Sequence, residues 1–382
     1  MNVEDRLFTF GEIYKIKMYQ RIQIIAFIVV TVFFSCSNEV EKTNALVDDK
    51  YQNNKELQEI NKKIVVNPNV DSLYRQRAAL YISLKDLELA EGDALRAVQL
   101  DSLNAKNYLL LSDIYYMTNQ TRKAKETLER CLINLPDNDD ANLKMAELYF
   151  YVRKFDESIG FLDRVIKKDP YNSKSYYLKG MSFLEMGDTG KAVSSFQTAV
   201  EQDDQYFKAY MELAKLYSLQ KNRLAISYFD NALRISPNSV EAWCAKSKFF
   251  QDAGMIKEAR EGYLKCLTID SNCVDGAYNL GALVLRVDKT PDVAKTYFSR
   301  ALIGLSRFSG DGTFIVADTM NVHSSFLTYN QYRLSVAKSL FARGVCAEQM
   351  KDKISARNDY QMALRVYENY EPALAALNQL GK

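Results

Sequence analysis

The chain has one histidine, one tryptophan and six prolines among its 382 residues. That histidine, His323, is the only imidazole, so no Ser/His/Asp or Cys/His nucleophile system has a base elsewhere in the chain. No CxxC, HExxH or Gly-rich phosphate loop occurs, which removes the usual zinc, redox and nucleotide signatures. Asp311 and Asp318 are too few carboxylates for a calcium loop. Six prolines and 15 glycines are too few for a loop-rich β protein of this length. An excess of one charge is also lacking. Lys plus Arg total 50 against 48 Asp plus Glu, a net +2, which argues against a general binder of nucleic acid or other polyanions. No catalytic, cofactor-binding or metal-binding residue is therefore assigned.

What the chain does have is apolar residues, 47% of the total, and a pattern that returns about every 34 residues. Laid in register, one copy reads Tyr108, Leu111-Ser112, Tyr115, Ala124, Leu128, Cys131 and Pro136. Another reads Met145-Ala146, Tyr149, Ser158, Leu162, Val165 and Pro170, and a third reads Trp243, Ser247, Phe250, Ala259, Tyr263 and Cys266. The physics of paired helices explains these slots. Two helices crossing at about 8–10 Å need a small residue on each at the crossing. Ala78, Ser112, Ala146, Gly180, Ala214, Ser247 and Gly281 fill one such slot. Ala90, Ala124, Ser158, Ala192, Ala225, Ala259 and Ala294 fill the other. Tyr81, Tyr115, Tyr149, Phe183, Tyr217 and Phe250 add bulk one turn on. Pro136, Pro170 and Pro237 stop the second helix, and Gly187 and Gly254 suit a left-handed turn between the two.

The register resembles the tetratricopeptide repeat over about four-fifths of the chain. The resemblance implies an all-α fold, a right-handed superhelical solenoid of antiparallel helix pairs with about eight repeats and a capping helix at each end. Seven repeats are assigned to 71–305 and the eighth to 337–370, with an insertion at 306–336. The fifth repeat lacks a residue between Lys221 and Ala225, and the seventh carries an extra one near Lys289 to Pro291. Capping helices are expected within 50–70 and 371–382. In the insertion, Ser309 to Gly312 reads as a turn and Thr313 to Val316 as β-prone, while Asn330 to Leu340 is expected to extend a helix.

The first 49 residues are of another kind. A basic start at Met18 to Arg21, the apolar run Ile22 to Phe34 and then Ser35-Cys36 have the layout of a secretory signal over 18–36. The run is short for a spanning helix, which needs about 20 apolar residues. Phe33-Phe34-Ser35-Cys36 resembles the lipobox of bacterial lipoproteins, with Phe33 and Phe34 departing from it, and implies lipidation at Cys36. Residues 1–17, with Glu4, Asp5 and Glu12, suit no export signal, so translation is expected to begin at Met18. Residues 37–49 read as a flexible tether.

In the tetratricopeptide family the first helix of each unit lines a concave groove that holds peptides. Register places Leu109, Asp113 and Tyr116 there, then Leu143, Glu147 and Phe150, then Tyr177, Met181 and Leu184. Met211, Lys215, Cys244, Lys248, Tyr278 and Leu285 follow. This apolar strip with interspersed charge suits an extended peptide or an amphipathic helix. Versions of the family that hold a C-terminal carboxylate use a Lys, Asn and Arg clamp. Here Arg75 is the only basic residue in the corresponding slot, and Lys106, Lys174 and Lys208 read as solvated. The resulting expectation is a non-enzymatic scaffold for a protein or peptide partner, with no nucleic acid or cofactor. It would be held at the bacterial outer membrane by a lipid anchor, as an adaptor in secretion, motility or outer-membrane assembly. Two alternatives are a lipoprotein stacking sugars on Tyr116, Tyr177 and Tyr278, and a cytoplasmic regulator on an uncleaved anchor. Cys131 and Cys266 read as alanine substitutes in the core, and an exported chain can pair Cys266 with Cys273.

Overall fold

The computed structural model describes residues 51, 53–306 and 329–380. The leader, the signal with Cys36, the tether, His323, the turn at Ser309 to Gly312 and the β-prone stretch at Thr313 to Val316 lie outside them. Eighteen helices and no strand occur among the described residues, and the fold is all-α. In chain order they are α1 (Lys55–Val66), α2 (Asp71–Ser83), α3 (Leu87–Leu100), α4 (Ala105–Met117), α5 (Thr121–Asn134) and α6 (Asp139–Tyr151). Next come α7 (Phe155–Lys168), α8 (Ser173–Glu185), α9 (Thr189–Gln202), α10 (Phe207–Leu219), α11 (Leu224–Ile235) and α12 (Val240–Asp252). The last six are α13 (Ile256–Ile269), α14 (Val274–Val287), α15 (Pro291–Ser306), α16 (Tyr329–Gln349), α17 (Lys353–Val366) and α18 (Glu371–Leu380). None of them is long and apolar enough to cross a membrane.

The chain divides into two compact units, Met1–Thr127 and Leu128–Lys382. In the first unit α2 pairs with α3, and α1 lies against α2 with Leu57 and Ile64 buried. Its interior also holds charge. Arg77 donates to both carboxylate oxygens of Asp93 at 2.7 Å, and to Asn61. Burial, the largest influence on Asp93, holds its carboxyl above the usual range, although Arg77 pulls the other way. In the second unit α6/α7, α8/α9, α10/α11, α12/α13, α14/α15 and α16/α17 are close pairs, each in contact with the next hairpin, and α18 packs on α17.

Both small-residue slots are buried. Ala78, Ala146, Ala214, Ala90, Ala192, Ala225, Ala259 and Ala294 are all 0% exposed. The bulky slot is less uniform. Tyr81 and Tyr115 are buried, whereas Tyr149, Phe183, Tyr217 and Phe250 are half-buried. Tyr149 stacks on Phe161 and Tyr217 on Tyr228, with ring centroids 5.5 and 5.3 Å apart. Their carbonyls carry a second role. The N–H groups of Asp86, Gln120, Lys154, Asp188, Asn222 and Met255 donate to the carbonyls of these six aromatic residues at 2.8–2.9 Å. That bond, six residues back to one, closes a Schellman turn whose preceding residue must be left-handed.

Gly187 and Gly254 take the left-handed position, as expected, at φ 82° and 76°. At the corresponding turns Lys85, Asn119, Arg153, Lys221, Lys289 and Lys351 take it with a side chain, at φ 55–64°. Helices α5, α7 and α11 each end two residues before Pro136, Pro170 and Pro237. The missing residue of the fifth repeat shortens α11 to 12 residues. The extra residue of the seventh lengthens α14 to 14 residues rather than enlarging the turn, and Lys289 N–H then donates to Val284. Residues 329–349 form one 21-residue helix, α16, so the end of the insertion is the start of that helix.

Candidate functional site

The candidate surface is made by the first helix of each pair. In the first unit α2 touches α4, and in the second α6 touches α8, α10 touches α12, α12 touches α14, and α14 touches α16. A side-chain cap repeatedly sets where these helices begin. Asn104, Asn138, Asn172 and Ser239 each accept a backbone N–H of the first turn.

In the first unit Leu109, Asp113 and Tyr116 are half-buried on α4. Arg75 is not a free clamp, because its guanidinium donates to Asp71 and Asn107. Asp71 also accepts from Asn104 and Asn107. Burial opposes the charge of Asp71, but those bonds prevail and lower its pKa.

In the second unit Leu143, Glu147, Phe150, Met181, Leu184, Lys215, Tyr278 and Leu285 are half-buried and Lys248 is exposed. Two candidates are not on the surface. Tyr177 is 6% exposed and Met211 2%. Tyr177 lies edge-on against Tyr206 at 5.3 Å and near Phe196 at 5.7 Å, so it fills the space between hairpins and does not line a groove. Burial raises the pKa of Tyr177. A sugar ring has no access to it, which removes one of the three tyrosines of the glycan reading. Lys174, expected to be merely solvated, pairs with Glu147 at 2.8 Å.

A pocket of about 410 Å³ lies over the C-terminal ends of α10 and α12. Phe229 and Phe249 are its buried floor, and Lys215, Lys221, Lys248 and Asp252 stand at its rim. Leu219, 82% exposed, projects beside it. Lys215 reaches Glu212 at 3.1 Å and Glu241 at 3.0 Å. Burial works against its charge, but the two carboxylates outweigh burial and raise its pKa. Lys248 pairs with Asp252 at 2.5 Å. An apolar floor under paired charges can take an apolar side chain of a partner while exchanging ion pairs at the rim. Register indicated Lys215 and Lys248 but missed Leu219 and Phe249. Both lie near a helix C-terminus, where position along the helix and not face decides exposure.

Cys131 and Cys266 are both fully buried, in keeping with their place in the small-residue slot. All five described cysteines are free. Cys266 and Cys273, the pair considered from the sequence, meet around a third cysteine. Cys244 Sγ lies 2.9 Å from Cys266 Sγ and 3.4 Å from Cys273 Sγ.

These stacked hairpins with an accessible first-helix face define an α-helical repeat protein. Family models described as tetratricopeptide repeat match residues 105–132, 140–170, 177–240 and 240–273. The chain is a tetratricopeptide-repeat protein. A curated relative, DnaJ homolog subfamily C member 7 homolog of Dictyostelium discoideum, is 22% identical over 318 residues, covering 78% of this chain and 56% of its own. Serine/threonine-protein phosphatase 5 of Mus musculus is 26% identical over 156 residues, 37% of this chain and 31% of that protein. The chain thus spans about half the length of one relative and a third of the other. Among solved structures, the C-terminal part of a TPR repeat-containing protein from Cytophaga hutchinsonii superposes with a TM-score of 0.54 at 14% identity. It covers 70% of this chain and 99% of that one. The repeats and these relatives point to a protein–protein interaction scaffold.

Proposed function

We propose that this chain is a non-enzymatic scaffold of the bacterial cell envelope that holds a peptide or helix of a partner protein against its first helices. The carrying observation is the pocket over α10 and α12, with a Phe229/Phe249 floor and a charged rim. Lys215, Glu212 and Glu241 pre-order that rim, so less side-chain entropy is lost when a partner docks. In this reading 18–36 is the export signal, Cys36 carries the lipid, 37–49 is the tether and the repeats begin near residue 71. Adaptor work in secretion, motility or outer-membrane assembly suits such an anchored array.

The test is paired capture from native membranes with the parent chain and with Leu219→Asp/Phe249→Ala. Loss of a specific partner with helical content unchanged supports the reading, and an unchanged partner set refutes it. Leu143→Ala/Phe150→Ala tests the same face further along. Metabolic palmitate labelling that disappears in Cys36→Ser supports the anchor and excludes an uncleaved one. A precursor peptide spanning Val3 to Lys15 refutes a start at Met18.

A further inference from the structure

The sulfurs of Cys244, Cys266 and Cys273 meet because three repeat slots carry cysteine in one place. Cys273 occupies the N-cap position of α14, where Asn104, Asn138, Asn172 and Ser239 cap the other first helices. Its Sγ accepts the Gly276 N–H at 3.3 Å, so the sulfur sits at a helix N-terminus where negative charge is favoured. Cys266, on α13, is fully buried and turned toward the Val240 carbonyl at 3.8 Å. Cys244, on α12, lies between them and is half-buried, whereas Cys273 is 8% exposed, so its reaction with a reagent waits on local opening at the start of α14.

Gly276 makes room for this arrangement. A Cβ there would come within 3.1 Å of both Cys266 Cβ and Cys273 Sγ, and 3.7 Å of Cys244 Sγ. The same helix position holds Asn107, Ala141, Ser175, Ala209 and Ala242 in other repeats, all with a Cβ. Sulfurs 2.9 and 3.4 Å apart are closer than the roughly 3.8 Å that two thiolates keep on one tetrahedral zinc with bonds of about 2.3 Å. Among the described residues no such cluster is arranged to hold a metal ion.

We propose that this cluster is a thiol–disulfide site, oxidised by a small-molecule disulfide, in which Cys273 is the attacking sulfur and Cys244 the resolving one. Hydrogen bonds from Cys244 and from the backbone N–H of Gly276 stabilise the Cys273 thiolate and lower its pKa. In the first step the Cys273 thiolate attacks a reagent R–S–S–R, its S–S bond breaks, and one RS⁻ leaves. In the second, Cys244 gives its proton to that RS⁻ and attacks Cys273 Sγ, releasing the second RS⁻. Two protein sulfurs are oxidised and one reagent disulfide is reduced to RSH and RS⁻. The Cys244–Cys273 bond ties α12 to the start of α14, one hairpin to the next. Cys266 can then attack Cys244 Sγ, breaking the Cys244–Cys273 bond and passing its proton to the departing Cys273, which moves the disulfide inside the α12/α13 hairpin. The cluster therefore selects whether neighbouring hairpins are joined beside the partner face.

The test treats the reduced full chain carrying Cys36→Ser with oxidised glutathione, alkylates at intervals and maps peptides without reduction. Two thiols per chain should be lost, appearing as Cys244 linked to Cys273 with a minor Cys244–Cys266 form, while Cys131 and Cys346 stay free. Cys273→Ser keeps a capping oxygen like that of Ser239, so it should fold with unchanged helix content. It should oxidise on the order of tenfold or more slowly, having lost the thiolate. Three results each overturn the proposal: Cys273→Ser oxidising at the parent rate, oxidation stopping at a glutathione adduct, or the reduced chain retaining one zinc or copper(I) ion on these thiols.

Discussion

Gly180 sets the sharpest test of how the hairpins pack. A Cβ at this position would stand 2.7 Å from Cδ1 and Cε1 of Phe196. Phe196 is 0% exposed, with Tyr177 against its ring at 5.7 Å, so it cannot swing aside. One hairpin earlier the corresponding pair is Ala146 and Leu162, both fully buried. The next hairpin places Ala214 opposite Phe229, both buried, so the clash at Gly180 comes from where the Phe196 ring sits and not from a ring as such. Gly180→Ala gains about 1 kcal/mol in helix propensity. Overpacking costs about 1–3 kcal/mol, and a contact this short belongs in the upper part of that range. The expected net loss is about 1–2 kcal/mol. Phe196→Leu alone should cost about 1–2 kcal/mol, less than the full truncation of a buried ring. The double variant rebuilds the Ala146/Leu162 pairing and should cost at least about 1 kcal/mol less than the sum of the singles. Urea unfolding followed by circular dichroism measures the three, with amide exchange in α8 and α9 because stacked repeats need not unfold together. Stabilisation of Gly180→Ala by the full propensity gain, or strict additivity of the pair, would refute the argument.

Three further outcomes follow from the same geometry. Arg77→Met should destabilise by about 3–5 kcal/mol by stranding the buried Asp93 carboxylate, and Asp93→Leu in that background should recover much of it; a urea midpoint close to the parent's would contradict this. At Lys85, φ 60°, glycine should hold or raise stability by up to about 1 kcal/mol and valine should lower it by about 1–2 kcal/mol. Equal melting curves for the two variants would dispose of the left-handed turn. Burial pushes Tyr81 and Tyr206 up from 10 to about 12. The folded value exceeds the unfolded one, so their contribution to stability is complete below about pH 10 and is lost as pH rises through about 12. Tyrosinate absorbance at about pH 11 should show un-ionised tyrosines while the helices persist, and a single midpoint near 10 for all 25 tyrosines would sink the prediction.

The small-residue slots were legible because close helix approach leaves almost no alternative to Ala, Ser or Gly, and the structure buries them at each copy. The turns were half legible. Gly187 and Gly254 announced themselves, but Lys85, Arg153, Lys221, Lys289 and Lys351 carry side chains that disfavour a left-handed backbone by about 1–2 kcal/mol. The Schellman bonds to Tyr81, Tyr149 and Tyr217, among others, hold that conformation. A cost carried by neighbouring backbone groups leaves no mark on the residue that bears it.

Register also fixes which side chains meet between hairpins, but not what they do there. Tyr177 and Cys244 are both the fifth residue of a first helix, and Tyr206 and Cys273 both the residue before the next one. In one hairpin the meeting is an edge-on aromatic pair at 5.3 Å, and two hairpins later it is a pair of sulfurs at 3.4 Å. The same geometric position thus gives inert packing in one place and a reactive contact in the other. A cysteine 22 or 29 residues from its neighbour has no meaning until the period of the stack turns that separation into contact. Groove membership obeys the same logic: Leu143, Tyr177 and Met211 share one position, yet only Leu143 keeps an accessible side chain. The neighbours supplied by the next hairpin decide which side chains remain available to a partner.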